Sequence, residues 1–346
     1  MRYETITNTD LNVSKICLGT MTFGEQNTEA EGHQQLDLSL ERGVNFIDTA
    51  ELYSSPVKAE TQGSTERFIG TWLKQRGKRD DLIIASKIVG DRPFAQHIRP
   101  KLGYSKENLE EAIELSLQRL QTDYIDLYQL HWPNRKTNFF GQRGYKHDEN
   151  DAWEDDFLEI LTNLDTIIKS GKVRYFGVSN ETPWGLMRYL HLADKHDLPR
   201  CVSIQNPYSL LNRTYEVGLS EISLREKVSL LPYSPLGAGM LSGKYHLKTD
   251  KPENRLNKYK HVKRYSSEQS WEATQRYLDI AQEHGLTLTQ LAMAFVNDRP
   301  FVTSNIIGAT NLEQLAENID SIDITLSDEI LEKIEAVHEA IPNPAP

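Results

Sequence analysis

A chain of 346 residues, 38% hydrophobic and 26% charged, is long enough to bury one large core and too apolar to be disordered. Its formal net charge of −11 argues against a nucleic-acid partner, which needs a basic face. No run approaches the roughly 18 consecutive apolar residues that a membrane helix requires, so no membrane partner is expected. The start, Met1-Arg2-Tyr3-Glu4-Thr5-Ile6, lacks the apolar stretch of a signal peptide. Cys17 and Cys201, each within an apolar run, read as buried reduced thiols of a cytoplasmic protein.

In chain order, residues 3–6 and 13–17 flank the turn Asn8-Thr9-Asp10 and predict an N-terminal hairpin. A strand at 16–18 is followed by a helix at 29–42, which stops at Gly43. The alternation continues with strand 44–47 and helix 64–75, then strand 82–86 and helix 106–120. In the latter, Leu109, Ile113, Leu117 and Leu120 form an apolar stripe. Next come strand 124–130 with helix 157–170, strand 173–178 with helix 184–195, and strand 202–204 with helix 215–226. Strands 228–231 and 306–307 complete the count, with helices 269–284, 288–297 and 312–319 around them and a last helix at 327–339. Eight strand–helix units predict an α/β fold, a (β/α)8 TIM barrel with an N-terminal β-hairpin. The first strand–helix junction, Gly19-Thr20-Met21-Thr22-Phe23-Gly24, lacks the G-x-G-x-x-G spacing of a doubly wound dinucleotide fold. No linker divides residues 1–346, so a single domain is expected.

Seven of the strands run into residues able to react or to grip a ligand, and in a parallel barrel all carboxyl ends meet on one face. Three long βα loops, 50–63, 88–104 and 132–156, follow such strands and are expected to rim the same pocket. The third carries Phe139, Phe140, Tyr145 and Trp153, and reads equally as a solvated loop with tucked aromatics or as a substrate lid. Asp48, Tyr53, Lys87 and His131 together compose a proton relay. A hydride delivered to a carbonyl carbon leaves charge on oxygen, and a tyrosine beside it can donate a proton. The free phenol titrates near about 10, and a lysine cation within about 4–6 Å is expected to draw that value down by about 1–3. A carboxylate paired with the lysine holds its ammonium in place, and the histidine supplies a second donor to the carbonyl oxygen. Each residue has a plainer reading: a backbone-bonded Asp48, a loop tyrosine, a Schiff-base Lys87 as in barrel aldolases, a satisfied buried His131. No H-E-x-x-H or Cys/His cluster supports a metal.

The segments Asp48-Thr49-Ala50-Glu51-Leu52-Tyr53, Ala85-Ser86-Lys87, Gln129-Leu130-His131-Trp132, Gly177-Val178-Ser179-Asn180 and Tyr233-Ser234-Pro235-Leu236 resemble the aldo-keto reductase superfamily along nearly the whole chain. Segments 19–27, 189–195 and 206–213 resemble a bacterial branch of it. The resemblance implies an NADP(H)-dependent oxidoreductase acting on a small aldehyde or ketone, with Tyr53 as general acid, Lys87 and Asp48 as its tuning pair and His131 as the orienting donor. It further implies that Ser179, Asn180 and Gln205 hold the nicotinamide carboxamide and that Tyr233 stacks on the ring. The stretch Ser234-Pro235-Leu236-Gly237-Ala238-Gly239-Met240-Leu241-Ser242-Gly243-Lys244 resembles the loop over the pyrophosphate, with Lys244 and Arg255 adding cations. Gly308, Ala309, Thr310, Gln314, Glu317 and Asn318 resemble the adenosine segment, where a helix N-terminus suits a 2′-phosphate. Many members carry a lysine–serine pair and a downstream arginine there. This chain has Thr303-Ser304-Asn305 before Ile306 and Asn311 after Thr310, so Thr310 with Lys244 or Arg255 is the expected grip. The potassium-channel β subunits, which share the fold and the four relay residues, make a nucleotide-sensing partner protein the alternative to an enzyme.

Overall fold

The structure is a computed structural model, and it describes residues 1–151, 153, 155–259 and 263–346. Its first two strands, β1 (Tyr3–Thr5) and β2 (Asn12–Ser14), pair antiparallel as the expected hairpin. The chain then enters β3 (Ile16–Gly19), β4 (Phe46–Asp48), β5 (Ile83–Ile88), β6 (Ile125–Leu130), β7 (Val173–Ser179), β8 (Ser203–Gln205), β9 (Ser229–Leu230) and β10 (Asn305–Ile307). These eight run parallel in the order β10-β3-β4-β5-β6-β7-β8-β9. Bridges from Leu230 to Val302 and from Tyr233 to Ile306 join the two ends of the sheet, with Ile306 N donating to Pro232 O at 2.9 Å. The sheet therefore closes on itself as the (β/α)8 TIM barrel, with β9 and β10 joined rather than left as open edges.

Continuous apolar runs such as Ile83-Ile84-Ala85 suit strands covered on both faces, and all six residues of β5 and of β6 are buried. Helices Glu29–Glu41, Ser64–Arg76, Lys106–Leu120, Phe157–Lys169, Pro183–His196 and Leu219–Glu226 alternate with the strands. Side chains start several of them: the hydroxyls of Thr28, Ser105 and Thr182 accept from backbone N–H groups of the first turn. The stripe Leu109, Ile113, Leu117 and Leu120 is buried against the barrel.

The hairpin plugs the amino end of the barrel. Thr7 N donates to Ser229 Oγ at 3.1 Å, Ser14 N to Asn45 Oδ1 at 2.7 Å, and Arg174 pairs with Asp10 at 2.7 Å. Ile6, Leu11 and Val13 pack beneath Cys17, Phe46 and Leu127 in the barrel interior.

Some boundaries differ from the sequence reading. The helix expected over 215–226 is a 3-10 turn, Thr214–Val217, followed by helix Leu219–Glu226. Gly218 stands between them at φ −155° and ψ −34°, a conformation outside the helix. The strand expected over 13–17 breaks at Lys15, whose ammonium bonds Glu4 at 2.5 Å and Val302 O at 2.8 Å. The strand expected over 228–231 pairs only at Ser229–Leu230. No described helix is long and apolar enough to cross a membrane.

Candidate active site

Asp48 ends β4, Lys87 lies one residue from the end of β5, and His131 follows β6, so three successive strands deliver them to the carboxyl face of the barrel. Lys87 is fully buried and Asp48 nearly so. The ammonium donates to Asp48 Oδ2 at 2.6 Å and to Thr49 O at 2.8 Å. Tyr53, on the loop after β4, lays its ring 4.9 Å from Lys87 Nζ, and its ring meets that of His131 edge-on at 5.6 Å. The four relay residues expected from the sequence thus form one cluster.

Its electrostatics depart from expectation in one respect. Burial pushes the Tyr53 phenol up, Lys87 pulls it back and Asp48 pushes it up again, and the sum lies above the ordinary value. Desolvation outweighs the cation, so the tyrosine rests protonated. Burial pulls the Lys87 ammonium down, but its attraction to Asp48 exceeds that pull and holds it charged, with Tyr53 adding to the attraction only as a phenolate. Burial, then Lys87, keeps His131 well below the usual imidazole value, so the ring is neutral and retains one N–H to donate.

Asp48 Oδ1 is the meeting point of two glutamines. Gln129 Nε2 donates to it at 3.2 Å and Gln205 Nε2 at 2.8 Å, and Gln205 Nε2 also donates to Gln129 Oε1 at 3.1 Å. Asn180 Nδ2 donates to His131 O at 2.9 Å and to Ser179 Oγ at 3.1 Å, while its Oδ1 accepts from Tyr233 OH at 2.6 Å. Ser179 Oγ donates to Gln205 O at 2.8 Å. Asn180 sits at φ 54°, the left-handed region that asparagine tolerates. Among Ser179, Asn180 and Gln205, the amide oxygen of Gln205 is the polar group left most free for a ligand.

The loop carrying Tyr53 is pinned by its own motif. Glu51 N donates to Lys87 O at 3.2 Å, and the Glu51 carboxylate accepts from Val89 N at 2.9 Å and Arg99 Nη1 at 3.0 Å. Both partners of the Arg99–Glu51 ion pair are about 1% exposed, so the loops 50–63 and 88–104 are locked to one another.

From this cluster a cavity of about 1120 Å³ runs along the carboxyl face, lined at one end by Asp48, Tyr53 and His131 and at the other by Gly308, Thr310, Gln314, Glu317 and Asn318. Ser179, Asn180, Gln205, Tyr233, Ser234, Pro235, Leu236, Ala238, Gly239, Ser242, Lys244, Arg255 and Ala309 line it between. Gly237, Met240, Leu241 and Gly243 do not. Met240 and Leu241 are completely buried in the main core, because the 3-10 turn Gly237–Ser242 rolls them inward. Positive φ at Ala238 and Gly239, 56° and 90°, makes that roll.

Thr303-Ser304-Asn305, where the sequence departs from the phosphate-binding pattern, stands away from the cavity. These residues are buried at the amino end of β10, where Ser304 Oγ donates to Ser14 O at 2.6 Å and Asn305 Nδ2 to Asn297 Oδ1 at 2.9 Å. The wall that faces the cavity is Gly308 to Asn311. There Gln314 Oε1 accepts from Thr310 N and Oγ1, both at 3.1 Å, and Asn311 caps helix Leu312–Asp320.

The donor set fits a dinucleotide. Arg255 Nε is buried with no partner among the described residues, and its Nη1 reaches only Met21 Sδ at 3.8 Å. Burial lowers the affinity of Lys244 for its proton, partly offset by Asp250 and Glu317. A Cβ on Gly308 would meet no atom within 4 Å, so the backbone there is open to a close ligand.

Sequence reasoning missed Gln129 and the substrate-side walls. Phe94 and Phe140 are 47% and 46% exposed and both pack on Trp132, at 5.3 and 6.0 Å between ring centroids. They come from irregular loops, where no periodicity marks a residue's direction. Phe139 turns away from the cavity under Arg92, and Trp153 packs on Phe157 and Trp184. The 132–156 loop therefore has a first part that rims the pocket and a later aromatic that belongs to the outer helices.

Comparison with known proteins agrees with this geometry. The aldo/keto reductase family model matches residues 15–339. Protein tas of Escherichia coli is 52% identical over the full length of both chains. An uncharacterized oxidoreductase of Bacillus subtilis, YrpG, is 32% identical over 96% of this chain and 94% of its own length. A probable voltage-gated potassium channel subunit beta of Arabidopsis thaliana is 29% identical over 99% of this chain and 98% of its own. The chain belongs to the aldo/keto reductase family of oxidoreductases.

Proposed function

We propose that this protein is an NADPH-dependent reductase of small aldehydes or ketones, working in the cytoplasm as one domain. The observation that carries this reading is the Asp48–Lys87–Tyr53–His131 cluster at a cavity of about 1120 Å³, room enough for a dinucleotide and a small substrate. NADPH bound there would supply the hydride to the carbonyl carbon. Tyr53 gives its proton to the oxygen as charge develops, and the buried Lys87 ammonium stabilises the phenolate left behind. Neutral His131 donates its N–H to the same oxygen and orients it.

Gln205 receives the nicotinamide carboxamide through its amide oxygen, and the ring of Tyr233, anchored through its hydroxyl to Asn180, forms the stacking floor. The turn Gly237–Ser242 covers the pyrophosphate, its Met240 and Leu241 acting as anchors in the core. Lys244 and Arg255 supply cations for the phosphates, and Thr310 with Gln314 holds the adenosine end, which favours NADPH over NADH. Leu52, Val57, Phe94, Trp132 and Phe140 give the substrate end an apolar wall, suited to a carbonyl on a hydrocarbon or aryl body. The free buried thiols Cys17 and Cys201 suit a reducing compartment.

The test is NADPH oxidation with a panel of aldehydes and ketones, run on the wild type and on Tyr53→Phe. Turnover that falls by about 10²–10⁴ in the variant, the usual contribution of a general acid, supports the enzyme. Tight NADPH binding with no turnover on any carbonyl transfers the reading to a nucleotide-sensing partner.

A further inference from the structure

We infer that Gln129 is a positioning residue that sets the orientation of Gln205 toward the nicotinamide, an assignment that rests on the reductase reading above. Asp48, Gln129 and Gln205 stand on β4, β6 and β8, alternate strands of the barrel, and inward side chains of alternate strands share one layer. That layering brings together residues 81 and 157 positions apart in the chain. Between them, Gly177 of β7 pairs in register with both Gln129 and Ser203. A Cβ there would lie 2.3 Å from Ser203 Oγ, too close for any side chain, and at an ordinary 3.5 Å from Gln129 Cγ, so the position is glycine on account of Ser203.

The amide orientations follow from the acceptor. A carboxylate only accepts hydrogen bonds, so both Nε2 atoms that reach Asp48 Oδ1 must be the amide nitrogens. The remaining N–H of Gln205 goes to Gln129 Oε1. Both donors of Gln205 are thereby spent inside the protein, and its Oε1 is left as an acceptor at the cavity wall, matched to a carboxamide NH2. Gln129 itself is completely buried and does not line the cavity. Without its Oε1, one Gln205 N–H loses its acceptor, and the amide is held on that side by Asp48 Oδ1 alone, so its plane is free to tilt and its Oε1 no longer stands at a fixed point on the cavity wall. The same carboxylate grips Lys87 through Oδ2, so the residues that orient the cofactor and those that tune the proton donor share Asp48.

Titration of protein fluorescence with NADPH and with 2′-phospho-ADP-ribose, the same molecule without nicotinamide, reads the effect directly. Gln129→Met is expected to weaken NADPH about tenfold, the equivalent of about 1.4 kcal/mol, and to leave 2′-phospho-ADP-ribose within about twofold. In a Gln205→Met background the Gln129→Met change should add nothing further, since its route is through Gln205. Should methionine at 129 prevent folding, Gln129→Asn, one methylene too short to span Asp48 and Gln205, is expected to show the same split. Equal weakening of both ligands, no weakening of NADPH, or additivity with Gln205→Met overturns the assignment. A wild type that binds neither ligand overturns the reductase reading itself, a different failure from the first three.

Discussion

Replacing Lys87 by methionine tests the buried relay at its most exposed physical assumption. The lysine and Asp48 side chains are 0% and 4% accessible, so the variant leaves a carboxylate in the barrel interior with two amide donors and no cation. Breaking such a pair from one side costs about 3–5 kcal/mol. With about 2.1 cal/mol/K of unfolding entropy per residue, a chain of this length loses Tm by roughly 4–7 °C. Removing the second charge as well, in Lys87→Met/Asp48→Asn, should recover most of that loss, because the uncompensated charge is gone while an acceptor for both glutamines remains. Turnover should not recover. Lys87 does not line the cavity, so NADPH affinity is expected to stay within about threefold while the chemical step falls by about 10² or more. Urea unfolding of the four proteins of the cycle, with single-turnover reduction alongside, measures each quantity. If the double variant is destabilised by the sum of the singles, the two groups do not share a compensating interaction and the argument for a tuned pair fails.

The raised Tyr53 value fixes the sign of the pH profile. A protonated donor is retained until pH passes the ordinary phenol range, about 10, so reductive kcat should be level from about pH 6 to 9; a fall that starts below pH 8 would contradict it. His131 adds a linkage effect: its folded value lies well below that of free imidazole, near about 6.5. The unfolded chain therefore binds the proton first as pH falls, and stability from this group is complete above about 6.5 and declines below it. Comparing urea midpoints at pH 5.5 and 7.5, His131→Asn should show a shallower loss than the wild type, and an unchanged slope removes His131 from the account. Lys244→Ala is expected to raise the Kd of NADPH several-fold more than that of NADH; equal losses would move this side chain to the pyrophosphate.

Much of the barrel was legible because its rules are local. Strands covered on both faces need continuous apolar runs, and β5 and β6 have them. The stripe in Lys106–Leu120 buries at the spacing read from its letters. Asp48, Lys87 and His131 were legible because strand ends in a barrel converge wherever they lie in the chain. What was not legible has the opposite character. Gln129 resembles any polar residue inside a strand until β6 is placed two strands from both β4 and β8. The roles of Phe94 and Phe140 depend on loop conformations, including φ 52° at Phe140, which no periodicity encodes.

The direction of the Tyr53 shift also changes how its lysine should be understood. A cation that made the resting phenol acidic would leave part of the enzyme as phenolate, unable to donate. In the proposed reaction burial keeps the donor intact, and Lys87 would act on what forms next. At about 5 Å and an effective dielectric of about 20, a full charge on the phenolate would interact with the ammonium by on the order of 3 kcal/mol. That interaction is nearly absent while Tyr53 is neutral and grows as its proton departs, so it lowers the barrier without binding the ground state more tightly. Asp48 opposes part of it, yet its grip at 2.6 Å is what keeps the ammonium charged and in place inside the barrel. A Lys87→Arg variant separates the two contributions. It keeps the charge but spreads it over a planar group too large for a site with no exposed surface. Charge alone predicts near-native turnover; charge at a fixed point predicts a loss of about 10-fold or more in kcat at unchanged NADPH affinity. Near-native kcat in Lys87→Arg would refute the claim that placement of the ammonium, rather than its mere presence, carries the effect.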